Sequence, residues 1–483
     1  MNKLSILLLT TILTACSLAP NFKLPDSANA KSFKEAKEKT ELKQGVWKVA
    51  TPLAKEDKGQ WWKVFNDSKL DELEKQAISA NQSLKAAAAR VEQSRAIVRA
   101  NSASFLPDIN LGGNAVRAKA ADASTAGFSK TPANNLKPYN LYAVGATASY
   151  DVDLFNRVRD SEKAFSFDAE AQSELYRNSL LALQADVAQH YFLLQSLDAE
   201  RELLKNTVSI RSEANRIMQK RFDVGTVNEI DLSFTKSELA IANSDLINLN
   251  RQRSVLENAM AILLGQNPSE YHFAETPNFN ITPPLIPAGI PSELLQRRPD
   301  IAIAQAQMKA ANIRIGVARA AFFPSLNLTA NGGFQSTELG DIFKWSSRTW
   351  ALGQTAGTAL AMNIFDSGRN FGQLDSAHSA YDAAVANYRN QVLVAMGDVE
   401  NALNDQKLLA EQSQQQDIAA QATTRTLDLT QKRYTQGDVN YFEVATAQAA
   451  MLATNRASIQ THAQRVIATI NLIRALGGSW AEK

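Results

Sequence analysis

The spacing of apolar residues changes twice in each half of this chain. Between Asp67 and Ser104, Leu70, Leu73, Ala77, Leu84, Ala88, Val91, Ile97 and Val98 fall at helical intervals in a stretch without Gly or Pro. That spacing predicts one helix, ended by Pro107. Beyond Pro107 the period becomes two: Ile109, Leu111, Gly113 and Ala115 alternate with Asp108, Asn110, Gly112 and Asn114. A second alternating stretch sets Tyr142, Val144, Ala146, Ala148, Tyr150, Val152 and Leu154 against Gly145, Thr147, Ser149, Asp151 and Asp153. Strands near residues 108–117 and 140–155 follow, each with one apolar and one polar side. Their length suits a tilted membrane strand of about 9–11 residues, although a soluble antiparallel sheet with one wet face alternates in the same way. The period then returns to helical. Arg157 to Val224 contains no Gly or Pro, and Leu180, Leu183, Val187, Leu194, Leu197, Leu204, Val208, Met218 and Phe222 form a seam interrupted by His190, Arg201, Arg211 and Asn215. A helix of that length runs roughly 100 Å. Gly225 suits a left-handed cap, and a second helix is expected from about Asn228 to Leu264, stopped by Gly265.

The whole pattern occurs twice. Arg221 to Gly225 reappears as Arg433 to Gly437, an offset of 437 − 225 = 212, and Leu264-Gly265 reappears as Leu476-Gly477 at the same offset. Strands are expected again near 324–335 and 349–365, with Leu326, Leu328, Ala330 and Phe334 on one side of the first and Trp350, Leu352, Ala356, Leu360, Met362 and Ile364 on one side of the second. A long helix ends at Gly437 and another at Gly477, so each copy contains an antiparallel helical hairpin with its tip at a glycine. A Pro-rich joint separates the copies, and Gln296-Arg297-Arg298-Pro299-Asp300 reads as a helix start with the arginines pairing local acids. Trp61-Trp62 reads as core packing. The expected division is a signal peptide (1–15), a tether (16–60), a first repeat (61–267), a joint (268–292), a second repeat (293–478) and a tail (479–483).

The N-terminus adds a compartment. Lys3, a short apolar run and small residues precede Cys16, the one cysteine of the chain. This is the form of a secretory signal, and its core is too short to span a bilayer. The totals of 51 basic and 49 acidic residues lack the basic footprint of a nucleic-acid-binding protein. His190, His272, His378 and His462 are scattered without metal-ligand spacing, and no nucleotide-binding fingerprint or catalytic constellation is present, so neither an enzyme nor a cofactor is expected.

Several stretches carry a resemblance. Leu13-Thr14-Ala15-Cys16 resembles a lipobox; the other reading is a free cysteine in an ordinary signal peptide. Together with Leu294 to Ile301, Gly316-Val317-Ala318-Arg319-Ala320-Ala321-Phe322-Phe323-Pro324-Ser325, Lys432 to Gly437 and Ala475 to Trp480, it makes the chain similar to the TolC-like outer-membrane efflux family, in its lipoprotein branch. The resemblance implies a mixed α and β fold. Helical hairpins would form a periplasmic tunnel, and four strands per chain would enter a trimeric, 12-stranded outer-membrane barrel. It implies a passive duct anchored to outer-membrane lipid at Cys16, with a periplasmic adaptor and an inner-membrane RND-type transporter as partners. A non-pore coiled-coil lipoprotein of the periplasm is the alternative.

The same resemblance points to the hairpin tips. Asp231 and Glu443 stand six residues past Gly225 and Gly437, where relatives ring the periplasmic mouth with acids, although acids near a helix start also favour the macrodipole. Phe442 holds the place of an apolar constriction, and Thr446 the place of a second acid. Val224-Gly225-Thr226 matches the tip pattern offered to the adaptor, whereas Gln436-Gly437-Asp438 departs from it. Glu200, remote from the tips, is expected to have no bearing on the mouth.

Overall fold

The computed structural model describes residues 17–25, 34, 60–119, 138–276, 279, 283, 297–352 and 358–478. Cys16 with its leader, most of the tether, most of the Pro-rich joint and the tail from residue 479 lie outside the described residues. The chain divides into two compact units. One comprises Met1–Pro25, Glu92–Ala171 and Gln305–Asn387 and holds the sheet; the other comprises Asp26–Val91, Gln172–Ala304 and Tyr388–Lys483.

The elements follow in order: α1 (Ser68–Ala80), α2 (Gln82–Ser102), β1 (Asp108–Ala118), β2 (Tyr139–Val152), α3 (Arg157–Asp223), α4 (Glu229–Leu263), α5 (Pro299–Ala320), β3 (Ser325–Ser336), β4 (Arg348–Ala351), β5 (Thr358–Ala361), α6 (Arg369–Gln436) and α7 (Tyr441–Ala475). The helix expected from Asp67 to Ser104 is thus two helices. Asn81 separates them with an extended backbone at φ −60° and ψ 124°. Its N–H still closes α1 on the Ala77 carbonyl (2.9 Å). Its Oδ1 accepts from Leu84 N–H (2.9 Å) to start α2, and its Nδ2 donates to the Leu263 carbonyl (2.9 Å). A short polar side chain that offers the backbone an alternative partner ends a helix in this way.

In the sheet unit, β1 pairs with β2 and β2 with β3, all antiparallel, and β3 pairs on its other edge with β4 and β5. Residues opposed in such a ladder share a face. One face collects Ile109–Ala148–Ala330, Leu111–Ala146–Gly332–Trp350 and Val152–Leu326–Leu360. The other collects Asn110–Thr147–Asn331 and Asp108–Ser149–Thr329. The alternation read along each strand therefore becomes one apolar and one small, polar surface. Gly112, Gly145 and Gly333 lie in one row of the polar face. A Cβ on Gly145 would sit 2.8 Å from the Gly332 carbonyl oxygen, so the close approach of β2 and β3 requires glycine there.

The fourth strand differs from its expected form. It is interrupted: Ala351 opposes Asn331, and Thr358 opposes Leu328. Seven steps on one side (358 − 351) face three on the other (331 − 328), an offset of four between the two registers. Four is even, so Trp350 and Leu360 stay on the same face. The register also places the starts of β1 and β3 and the end of β2, each next to a helix, at one end of the sheet.

In the second unit the apolar core gathers Trp61 and Trp62 with Leu70, Leu73 and Ala77 of α1, Val187, Phe192 and Leu194 of α3, Met260 of α4, Val399 of α6 and Ile470 and Ile473 of α7. Trp61 and Trp62 pack edge to face at 6.2 Å, and Trp61 Nε1 donates to Gln184 (3.1 Å). Arg298 pairs with the local Asp300 (2.6 Å), as expected, and also with Asp398 (2.9 Å) and the Ala475 carbonyl (3.0 Å). It thereby joins the start of α5 to α6 and to the end of α7.

One position contradicts its surroundings. Glu74 lies on the buried face of α1 with Leu70, Leu73 and Ala77. It is 0% exposed, and neither carboxylate oxygen finds a hydrogen-bond partner. Burial first, and then the neighbouring Asp71, push its pKa to about 9, against 4.5 for a free glutamate. The folded chain therefore keeps a proton that the unfolded chain releases. The contribution of Glu74 to stability is greatest below pH 4.5 and is lost as pH rises towards 9. Glu74→Leu is expected to raise the denaturation temperature in detergent more at pH 8 than at pH 5. The gain at pH 8 should be on the order of 1–4 kcal/mol, as when buried ionic groups are replaced by hydrophobic ones. Equal shifts at both pH values would mean that Glu74 is not held protonated.

Candidate functional site

The two hairpin tips are built alike, residue by residue. After α3, Gly225 takes φ +74°, its N–H donates to the Phe222 carbonyl (2.9 Å), and Thr226 N–H donates to the Arg221 carbonyl (2.9 Å). After α6, Gly437 takes φ +82°, donating to Tyr434 (3.1 Å), and Asp438 N–H donates to Arg433 (3.0 Å). Both are Schellman caps, in which a left-handed residue lets the chain satisfy the last carbonyls of the helix. A Cβ at either glycine would meet nothing within 4 Å, so the backbone angle alone requires glycine there. At the opposite ends of the hairpins, Gly265 and Gly477 also have positive φ, but a Cβ there would strike the Ala80 carbonyl oxygen (2.5 Å) or the Arg297 carbonyl oxygen (2.8 Å). The tips are open and the bases are closely packed.

Each tip re-enters a helix through an asparagine. Asn228 Oδ1 accepts from Asp231 N–H (2.9 Å) and Asn440 Oδ1 from Glu443 N–H (3.1 Å). Asp231 and Glu443 are therefore the third residues of α4 and α7, the favoured place for an acid at a helix start. Both are exposed, as are Val224, Gln436, Asp438 and Phe442. The macrodipole role is present in the geometry of both acids, and their exposure leaves them free to face a pore as well.

The tips meet through aromatic rings. Phe442 of α7 lies against Phe234 of α4 with centroids 5.3 Å apart, and within the second tip Tyr434 packs edge to face on Tyr441 at 5.9 Å. Thr446 turns its hydroxyl back to the Phe442 carbonyl (2.9 Å). Phe234 escapes a reading that tracks acids alone, but the repeat marks it. It occupies in the first copy the position of Thr446 (446 − 234 = 212), while Phe442 matches Ile230 (442 − 230 = 212). The aromatics are thus placed diagonally across the two copies. Behind them Arg211, 6% exposed, pairs with Glu238 (2.7 Å) and donates to the Glu238 carbonyl (2.9 Å), locking α3 to α4. Burial raises the Tyr441 phenol, an effect that Arg211 partly offsets.

Farther from the tips, Glu200 is 2% exposed and accepts from Arg456 (3.2 Å) and Gln460 (3.0 Å). It ties α3 to α7, so it is not the idle charge that a comparison variant needs; the exposed Glu202 is. Among the described residues no group of acids, histidines or cysteines could hold a metal ion, and no helix is long and apolar enough to cross a membrane.

This arrangement of strands, hairpins and caps can be set beside known proteins. A family model described as outer membrane efflux protein matches residues 73–266 and again 290–478, once for each copy of the repeat. The chain belongs to that family. It is 31% identical over 482 residues to outer membrane protein OprJ of Pseudomonas aeruginosa, covering 99% of this chain and 96% of OprJ. It is 30% identical over 477 residues to the toluene efflux pump outer membrane protein TtgF of Pseudomonas putida, covering 98% and 96%. The solved CmeC outer membrane channel of Campylobacter jejuni superposes with a TM-score of 0.85 at 26% identity, over 96% of this chain and 95% of CmeC. The protein is an outer-membrane efflux channel, not an enzyme, and its long hairpins form a periplasmic tunnel.

Proposed function

We propose that three copies of this chain form one duct, anchored to outer-membrane lipid through acyl groups on Cys16. In this reading a periplasmic adaptor docks on the tips at Val224, Gly225, Thr226, Gln436, Gly437 and Asp438, and an inner-membrane RND-type transporter delivers the cargo. At rest the tips close the periplasmic end. The observation that carries the closed mouth is the Phe234–Phe442 contact, which couples the first hairpin to the second at the level of Asp231 and Glu443. Two packed rings narrow a pore by excluding water, while the exposed acids beside them attract cations. Thr446, bonded to its own helix, adds no charge, so the mouth is more aromatic than acidic.

Planar-bilayer recordings test the mouth. Phe442→Ala and Phe234→Ala are each expected to raise single-channel conductance, and the double variant to add little beyond either, as for two residues in direct contact. Glu443→Gln should lower cation preference with a smaller change in conductance, and Glu202→Ala should change neither. Unchanged conductance in both phenylalanine variants would place the gate elsewhere and leave Asp231 and Glu443 as helix-start acids only. The anchor has a separate test. The mature N-terminal peptide is expected to begin at an acylated Cys16; a peptide beginning at Ser17 or later, without acyl groups, would reject it.

A further inference from the structure

The residues that follow Cys16 are held along one face of α5. Asn312 Nδ2 donates to the Pro20 carbonyl (2.8 Å), and Arg319 Nη1 donates to the Leu18 carbonyl (3.1 Å). Between these donors lies Gly316, where a Cβ would sit 2.6 Å from the Ala19 nitrogen and 2.8 Å from its Cα. Asn312, Gly316 and Arg319 stand at i, i+4 and i+7, a single helix stripe. A glycine inside a helix costs about 1 kcal/mol relative to alanine, and here the passing strap supplies its reason. At the first turn of α3, Ser17 Oγ donates to Asp160 Oδ2 (2.7 Å), and Asp160 is 4% exposed. The Arg314–Asp168 ion pair joins the same two helices.

We propose that α5 and the first turn of α3 form a dock for the mature N-terminal segment Ser17–Pro25, and that this dock sets where the acylated residue meets the membrane. The proposal rests on the acylation of Cys16. The dock reads two main-chain carbonyls and one hydroxyl, and it demands a small residue at position 316 beside Ala19. Its place in the chain suits an anchor. Asp160 lies eight residues beyond Val152 (160 − 152), and Arg319 six before Ser325 (325 − 319), so both belong to the helix-bearing end of the sheet. Residues 17–60 span 44 positions, and a free flexible chain of that length would let an anchor range over roughly 35 Å. A docked Ser17, covalently bonded to Cys16, removes that freedom.

Trypsin cleavage at Lys23, followed by mass spectrometry of the released 16–23 peptide from detergent-solubilised full-length protein, tests the dock. The native protein is expected to resist. Gly316→Val should be cut at least about tenfold faster, because a tenfold change corresponds to about 1.4 kcal/mol of lost docking, while single-channel conductance stays native. Asn312→Ala combined with Arg319→Gln removes both donors without added bulk and should give the same gain, which covers the case in which Gly316→Val does not fold. Cleavage in both folded variants as slow as in the native protein would overturn the dock. Cys16→Ser, exported behind an ordinary cleavable signal, separates the two causes. Resistance that persists without acyl groups supports the dock, whereas resistance lost with them would show that the acyl groups in the detergent micelle, not α5, protect the strap, and would overturn the dock. A resistant Lys23 in native protein whose N-terminus carries no acyl group would refute the anchoring reading and, with it, the positioning role.

Discussion

Backbone hydrogen bonding in hydrocarbon governs the rest of this architecture. An unpaired amide or carbonyl in lipid costs several kcal/mol, so a sheet that crosses a membrane has to close on itself. This chain supplies β1, β2, β3 and a fourth strand in two segments, and among the described residues its sheet ends in two open edges, β1 on one side and β4 with β5 on the other. Bacterial barrels use an even number of strands, at least eight. One chain cannot satisfy that rule, and copies that pair the β1 edge of one with the β4 and β5 edge of the next can. In a barrel closed in that way the polar face of Asn, Thr, Ser and Gly would line the lumen and the rows through Ile109, Leu111 and Val152 would face lipid.

The duplication explains how one chemical vocabulary serves different ends of the hairpins. Gly225, Gly265, Gly437 and Gly477 all hold positive φ in the same cap, yet the tips leave open space and the bases press on neighbouring backbone. The tips are consequently the places where a substitution can change what the hairpin presents without disturbing a core. That freedom has been used asymmetrically: Ile230 and Phe234 in one copy stand against Phe442 and Thr446 in the other.

Much of this was legible in the residues. Long runs without Gly or Pro, strict two-residue alternation and the 212-residue offset located the hairpins, strands and tips, because each rests on local geometry that repeats. What escaped depends on partners distant in sequence. The break at Asn81 exists because its side chain caps α2 and reaches the Leu263 carbonyl, and spacing alone carries the apolar stripe straight through. The shift of register between β4 and β5 is set by their pairing with β3. Glu200 and Glu74 look like surface charges in the sequence; one is buried in a tie to α7 and the other in the core without a partner. Gly316 was conspicuous in its motif, but its reason, the passage of Ala19, lies about 300 residues away in the chain.

Disulfide cross-linking across the proposed seam tests strand closure most directly. A cysteine at Ala351 would be combined in turn with one at Asn110, Gly112, Asn114 or Val116, positions on the opposite edge strand β1. The account predicts that at least one combination joins neighbouring chains through β1 and β4, giving a ladder on denaturing gels that stops at three. No linked species from any combination, or a ladder that continues past three, would contradict it.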